Sequence, residues 1–207
     1  MMESKLRKQM VSCGKSYYLR GYSVGSAGNM SVRLPDGHIL ATPTNSCLGY
    51  LDEDRLAKVT MQGEQIDGDK MSKEIAFHLA IYRQRPECNA IVHLHSTYLT
   101  ALSCCADIDP DNIIKPFTPY YVMKIGKMPL LPYFKPGSAM IAQTLSQRAH
   151  EANAFLLANH GPVVLGTSLT EAVNAMDELE ETAKLMFLLK NANVRYLSDA
   201  EIDELRS

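Results

Sequence analysis

The sequence has no marked excess of charge of either sign. Its 21 lysine and arginine residues oppose 23 aspartate and glutamate residues, which gives a formal net charge of −2. A nearly neutral chain lacks the positive field that draws proteins to nucleic acids and anionic membranes, so we expect neither as the main partner. No uncharged apolar run approaches the ~18 residues of a membrane-spanning helix. The first eight residues contain no apolar core of a secretory signal, so we expect no such signal.

Cysteine is sparse, and its spacing does not suggest a disulfide framework. The five cysteines are odd in number and form no C-x-x-C pair. This pattern favours reduced thiols, and we expect a cytoplasmic protein. The residues concerned are Cys13, Cys47, Cys88, Cys104 and Cys105.

The chain also lacks internal repeats, low-complexity tracts and linker-like segments. Its 207 residues, 46% of them hydrophobic, are enough for one domain with a single core that needs no disulfide or structural metal. We therefore expect one domain over residues 1–207.

Hydrophobic spacing and turn residues predict alternating strands and helices. Pro35-Asp36-Gly37 separates two strand-like runs and predicts a hairpin. Residues 106–137 hold six of the ten prolines and are predicted to be irregular loop with short strands. Hairpins within an alternating pattern predict a layered α/β fold with a mixed or antiparallel sheet, not a parallel doubly wound one. We expect helices at about 5–20, 72–84, 96–105, 138–151, 168–190 and from 198, and strands at 30–34, 38–42, 58–60, 64–66, 90–95, 154–158 and 163–166.

Three histidines are candidate metal ligands. His93 and His95 lie two residues apart at the end of a predicted strand, so both side chains should project to one face and can chelate a divalent ion such as Zn²⁺. The alternative is two polar residues on a half-buried strand. His160 follows the apolar run 155–158 and precedes Gly161-Pro162, where a strand end presents a side chain to a cleft. Three histidines with one open position are typical of a catalytic zinc site.

Glu74 opens a predicted helix, and its role has two interpretations. A carboxylate there is stabilised by the helix dipole, which is a sufficient structural reason for it. It is equally suited to act beside a metal, as a ligand or as an acid/base. His78 lies one turn later and either chelates with Glu74 or forms a surface pair with it. For His38 and His150 we expect solvated or structural roles.

Small polar residues gather in loops and at a helix start, where backbone N–H groups are free. This arrangement suits an anion such as phosphate, although turns use the same residue types. The segments are 28–31, 42–45 and 72–73.

Five motifs in order resemble the class II aldolase/adducin family, which includes fuculose-phosphate aldolase and ribulose-phosphate 4-epimerase. They are 28–33 (GNMSVR), 42–44 (TPT), 72–74 (SKE), 93–96 (HLHS) and 158–161 (ANHG), and together they extend over most of the chain. The resemblance implies a three-layer fold, with a mostly antiparallel central sheet and helices on both faces. It implies one Zn²⁺ per subunit, or another divalent ion, held by His93, His95 and His160, with Glu74 as catalytic acid/base. It also implies phosphate contacts from Asn29, Thr44, Asn45, Ser72 and Lys73.

The sequence departs from the aldolase pattern at two positions. Asn45 stands where the aldolases have glycine, and Lys73 stands where they have a second serine. The family is typically a homotetramer with active sites at subunit interfaces, which we expect here. Tyr120 is similar in placement to a catalytic tyrosine that a neighbouring subunit donates. Tyr121 is its rival, and core or interface packing is the alternative for both.

Within the family, segments 42–49 and 93–103 are most similar to a decarboxylating branch. This likeness implies metal-dependent conversion of a phosphorylated four-carbon β-keto acid to dihydroxyacetone phosphate and CO₂ through an enediolate. A sugar-phosphate aldolase or 4-epimerase is the alternative, because retro-aldol cleavage passes through the same intermediate. A non-catalytic adducin-like binding module ranks lower, because the three histidines and Glu74 are all present. A closed structural zinc site would need four ligands, and the sequence offers no obvious cysteine partner for the histidines.

Overall fold

The structure is a computed structural model that describes residues 2–206. Those residues form seven α-helices and two short 3₁₀ turns, Leu48–Tyr50 and Glu53–Arg55. The helices are α1 (Met2–Leu19), α2 (Ile75–Gln84), α3 (Thr97–Ser103), α4 (Pro119–Lys124), α5 (Ala139–Arg148), α6 (Leu169–Leu188) and α7 (Asp199–Arg206).

Eight strands form one sheet in the order β4-β3-β2-β1-β5-β8-β7-β6. Every neighbouring pair is antiparallel except β6 and β7, so the predicted mostly antiparallel sheet is confirmed. The strands are β1 (Asn29–Arg33), β2 (Ile39–Ala41), β3 (Ala57–Val59), β4 (Gln65–Asp67), β5 (Ala90–His93), β6 (Leu130–Leu131), β7 (Ala154–Leu157) and β8 (Gly161–Gly166).

Helices cover both faces of the sheet, as the family resemblance implies. Successive strand residues point to opposite faces, so Val92 of β5 packs among residues of α1, α3, α4 and α6, while Ile91 packs among residues of α2 and α5. The two buried clusters give the molecule its three layers. Among residues 2–206, no helix is long and apolar enough to cross a membrane.

Two expected boundaries were wrong, and both concern the site. The helix expected from Ser72 begins at Ile75, because Ser72–Glu74 form a turn in which the Ser72 hydroxyl accepts from the Glu74 N–H (3.2 Å). The strand expected to reach His95 ends at His93, and an extended Ser96 then leads into α3.

The proline-rich segment 106–137 also contains a helix that the sequence analysis missed. Pro119 occupies the first helical position of α4, where its missing N–H costs nothing. The Thr118 hydroxyl accepts the Tyr121 N–H and caps the helix (3.4 Å). The helices expected from 138, 168 and 198 are confirmed, and the hydroxyls of Ser138, Ser168 and Ser198 each accept a backbone N–H at the helix start.

Candidate functional site

Three elements bring the predicted histidine ligands together. His93 ends β5, His95 follows it by two residues, and His160 lies in the connection between β7 and β8. Because β8 pairs with β5, with His93 opposite Val163, the turn that carries His160 lies beside residues 94 and 95. One ligand atom from each of the three histidines lies within 4.8 Å of the others. The Nε2 atoms of His93 and His95 are 3.1 Å apart.

Hydrogen bonding and burial favour the neutral form of these imidazoles, which can bind a cation. His93 Nδ1 donates to the Pro162 carbonyl (2.8 Å), so in the neutral ring Nε2 keeps its lone pair. Burial, followed by the nearby His160 and His95, holds the pKa of His93 well below its usual value. Burial likewise lowers the pKa of His95 and of His160. Neutral imidazole is the form that binds a metal.

His160 supplies the observation that fits a metal best. Both of its ring nitrogens are buried and have no hydrogen-bond partner among residues 2–206. A buried ring nitrogen without a hydrogen bond is costly, and coordination of a divalent cation would satisfy one of the two. The donor set of three neutral imidazoles beside a carboxylate therefore fits a divalent cation of the zinc type.

Glu74 faces this cluster from the start of α2. Its Oε1 lies 3.5 Å from His160 Nε2, and its Oε2 lies 3.5 Å from His93 Nε2. Glu74 is the N-terminal cap of α2, where the helix dipole favours a carboxylate. Glu74 therefore lies both at a helix N-terminus and beside the three histidines, a position compatible with either interpretation.

Two glycines let neighbouring strands approach the histidines closely. Gly28 has a φ of 81°, and a Cβ there would lie 2.8 Å from the His93 carbonyl oxygen. A Cβ at Gly161 would collide with the Leu94 carbonyl oxygen. The motif glycines thus allow β1 and β8 to enclose the end of β5.

A buried glutamate that the sequence analysis did not single out supports the His95 segment. Glu180 of α6 is 2% exposed and accepts hydrogen bonds from Ser96 Oγ (2.7 Å) and from the N–H groups of Tyr98 (2.8 Å) and Leu99 (3.0 Å). It caps the start of α3 from another helix and fixes the residue that follows His95. The only sequence signal was a charged residue within the apolar face of α6.

Replacing Glu180 with alanine is expected to lower the free energy of unfolding by roughly 2–4 kcal/mol, because it leaves two buried donors and one partly buried donor without an acceptor. Denaturant unfolding at fixed protein concentration measures the change. Glu181→Ala is the matched control: Glu181 neighbours Glu180 on α6, its side chain is 53% exposed, and the expected change is below about 1 kcal/mol. Equal losses in the two variants would contradict the capping role.

His78 lies in neither of the two expected arrangements, which were chelation together with Glu74 and a surface pair with it. It is 1% exposed, so it forms no surface pair, and its ring nitrogens bind Asn29 Oδ1 (2.6 Å) and Ser31 Oγ (2.7 Å) instead of facing the cluster. Burial lowers its pKa to about 3, so the ring is neutral. The other two histidines fit the expected solvated or structural roles. His150 is exposed, and His38 Nδ1 lies 3.0 Å from the Asp36 carboxylate.

One cleft joins the cluster to the predicted phosphate residues. His95, His160 and Glu74 line it, while His93 lies fully buried behind them. Lys73 is exposed at the cleft, and Asn45 adopts a left-handed φ of 56°, a conformation in which asparagine and glycine are favoured. Asn29 also lines the cleft, but its side chain is engaged, since Nδ2 donates to Glu74 Oε2 (2.7 Å). The lining residues predicted for phosphate are Asn29, Thr44, Asn45, Ser72 and Lys73.

The two candidate tyrosines differ in exposure. Tyr121 is fully buried, its hydroxyl donates to Asn112 Oδ1 (2.8 Å), and burial raises its pKa well above the usual value. Tyr120 is 59% exposed and is not among the residues lining this chain's own cleft. Of the pair, only Tyr120 presents its side chain to solvent.

Comparison with known proteins identifies similar proteins over most or all of the chain. Residues 8–187 match the model of the "Class II Aldolase and Adducin N-terminal domain". A 3-oxo-tetronate 4-phosphate decarboxylase of Escherichia coli O6:H1 is 59% identical over 206 residues, which is 100% of this chain and 97% of the relative. An L-fuculose phosphate aldolase of Methanococcus maripaludis is 39% identical over 175 residues, which is 84% of this chain and 92% of the relative.

Among solved structures, the crystal structure of YgbL from Escherichia coli superposes with a TM-score of 0.98. It is 57% identical, and the match covers 100% of both chains. The similarity therefore extends over the whole chain.

Proposed function

Because the chain belongs to the class II aldolase and adducin family, we propose that it is a lyase that decarboxylates 3-oxo-tetronate 4-phosphate to dihydroxyacetone phosphate and CO₂. The observation that carries the proposal is that one cleft joins a three-histidine cluster, a carboxylate and a rim of small polar residues with a lysine. The full-length identity to decarboxylases, above that to fuculose phosphate aldolases, supports the decarboxylating reaction. We regard residues 1–207 as one domain with this activity.

We propose that His93, His95 and His160 hold one Zn²⁺ per subunit. Such a cation acts as a Lewis acid, and it would stabilise the negative charge of the enediolate that remains when CO₂ leaves. The three neutral rings and the unpaired nitrogens of His160 support this assignment.

Glu74 is the proposed acid/base. The substrate is a β-keto acid, so loss of its carboxylate places an electron pair on the adjacent hydroxyl-bearing carbon, which must then receive a proton. Oε2 of Glu74 already accepts from Asn29, so Oε1 is the oxygen that remains to carry the proton. Protonation of the carbon gives dihydroxyacetone phosphate, and the Glu74 carboxylate then takes a proton from water.

The rim of the cleft is the proposed phosphate site. Lys73 supplies a positive charge, and Thr44, Asn45 and Ser72 supply short polar side chains in turns. Asn29 belongs to this rim and also holds Glu74. Binding energy at the phosphate holds the reacting end of the substrate in register with Glu74.

We further propose a cytoplasmic homotetramer in which Tyr120 of one subunit completes the site of a neighbour as a catalytic residue. Its exposure, against the burial of Tyr121, supports this choice. The five free cysteines support a reducing compartment. A small phosphorylated acid-sugar substrate is the expected partner, with no nucleic acid and no membrane.

The test is a comparison of substrates on the purified protein. We expect CO₂ release from 3-oxo-tetronate 4-phosphate, measured for the D and L forms separately, and little cleavage of fuculose 1-phosphate or ribulose 5-phosphate. The similarity to a fuculose phosphate aldolase makes aldol cleavage the second candidate. Aldehyde release from fuculose phosphate without CO₂ release from the keto acid would assign the chain to that reaction.

A further inference from the structure

A line of polar residues runs from the cleft into the core between α2 and β1. Glu74, His78 and Tyr82 repeat every four residues along α2, so they lie on one helix face. Asn29 and Ser31 alternate along β1, so they lie on the sheet face that α2 covers. The five side chains meet in the otherwise apolar layer that contains Phe77 and Ile81.

The donor and the acceptor of each hydrogen bond along this line can be assigned. Asn29 Nδ2 donates to Glu74 Oε2 (2.7 Å), which leaves Asn29 Oδ1 as an acceptor. His78 Nε2, 2.6 Å from that oxygen, must therefore carry the hydrogen. In the neutral ring, Nδ1 is then the acceptor, and it receives the Ser31 hydroxyl (2.7 Å).

Burial leaves these groups no substitute partners. Ser31 is 0% exposed, His78 1% and Tyr82 1%. Because the Ser31 hydroxyl hydrogen goes to His78, the Tyr82 hydroxyl is the donor to Ser31 Oγ (2.8 Å), and the Ser31 carbonyl oxygen is a second acceptor for it (3.0 Å). The ring of Phe77 stacks on that of His78, with 4.5 Å between centroids. Rotation of any member would leave a buried donor or acceptor unpaired, which is costly.

We propose that His78 is a positioning residue for the reaction. Its Nε2–H fixes the orientation of the Asn29 amide, so that Asn29 Nδ2 donates to Glu74 Oε2. Glu74 Oε1 is then left free to face the cleft. The inference deepens the proposed function and rests on it. His78 does not line the cleft, and its hydrogen bonds go to Asn29 and Ser31, so Asn29 is the residue through which it acts on Glu74.

The alternative tautomer shows why the ring matters. With the hydrogen on Nδ1, His78 Nε2 becomes an acceptor and draws the amide nitrogen of Asn29 towards itself. Asn29 Oδ1 would then face Glu74 Oε2, and two acceptors would repel each other at the point where Glu74 is now held.

The test is a cycle of variants with zinc content and steady-state kinetics measured for each. His78→Leu is expected to lower kcat by about 10- to 100-fold, because Glu74 loses its fixed orientation. KM is expected to stay within about threefold and zinc content to stay unchanged, because Lys73 and the other rim residues apart from Asn29 keep their contacts, and so do the histidine ligands. His78→Gln, whose amide can donate to Asn29 Oδ1, is expected to recover most of kcat. The matched control, His150→Leu, removes an exposed histidine and is expected to leave kcat unchanged.

Dependence on Asn29 distinguishes positioning from general stabilisation. In an Asn29→Ala background, His78→Leu is expected to cost less than about threefold in kcat, since the residue it acts through is absent. An equal loss in both backgrounds, or wild-type kcat in His78→Leu, would overturn the proposal. Should His78→Leu fail to fold, Ser31→Ala replaces it: a lowered kcat with normal zinc content supports the proposal, and wild-type kcat overturns it.

A measurement independent of turnover completes the test. Nitrogen-15 NMR of histidine-labelled protein is expected to show His78 neutral and protonated at Nε2, with its signal identified by its loss in His78→Gln. A ring protonated at Nδ1 would refute the proposed orientation. Absence of CO₂ release by the wild-type protein would instead refute the proposed function, and the NMR result would still decide the orientation.

Discussion

His93→Ala and His160→Ala are each expected to remove bound zinc and to lower turnover by more than about 10³-fold. Each variant deletes one of three cation donors, and a cation that stabilises developing charge contributes several kcal/mol to the rate. The sheet should persist, because the paired strands keep their backbone hydrogen bonds on either side of both positions.

Metal analysis, circular dichroism and product release on the same preparations check this expectation. His150→Ala is the control, since it removes an exposed imidazole far from the cluster in sequence and should change neither zinc content nor rate. Wild-type turnover in His93→Ala or in His160→Ala would contradict the metal assignment. Loss of structure would show that the ring has a packing role beyond the cation.

Glu74→Gln is expected to keep the zinc and to lose about 10²- to 10⁴-fold in kcat, the usual worth of a positioned acid/base. Glutamine has nearly the shape of glutamate, and its amide oxygen can accept the hydrogen bond from Asn29 that Glu74 now accepts. It cannot take up or deliver a proton at the position of Oε1.

Separate measurement of zinc content and kcat decides between the two roles considered for Glu74. Normal zinc with a low rate indicates an acid/base, whereas lost zinc indicates a ligand. Glu181→Gln, on the exposed side of α6, is the control for a neutralised carboxylate. A Glu74→Gln protein with wild-type turnover would exclude the acid/base role.

Local sequence rules predicted the scaffold of the site well. The turn at Pro35-Asp36-Gly37 joins β1 and β2 as expected. The alternation of hairpins with helices in the sequence correctly predicted a layered fold with a mixed sheet. The H-x-H pair and His160 at a strand end were recognised from spacing and neighbours alone. These features depend on short-range periodicity, which the sequence carries directly.

Features that depend on distant packing could not be predicted in the same way. Glu180 caps α3 from more than eighty positions along the chain, and no spacing rule connects it to Ser96. His78 was paired with Glu74 by helical spacing, but its partners Asn29 and Ser31 belong to β1, and only the packing of α2 on the sheet brings them together. The helix α4 was missed because prolines, which usually end helices, here also begin one.

Decarboxylation and aldol cleavage place the same demands on this cleft. Both leave an electron pair that must be delocalised and then protonated, and both use a substrate anchored by its phosphate. The roles proposed for His93, His95, His160 and Glu74 therefore serve either reaction, which agrees with the 39% identity to an L-fuculose phosphate aldolase. The rim at Asn45 and Lys73 is where the chain departs from the aldolase pattern.

The most direct test of metal-dependent decarboxylation is release of CO₂ and dihydroxyacetone phosphate from 3-oxo-tetronate 4-phosphate, before and after metal removal. We predict equal amounts of both products, loss of both after treatment with a chelator, and recovery on addition of Zn²⁺. Full turnover by protein shown to be free of metal, or no CO₂ from the zinc-loaded protein, would contradict the account.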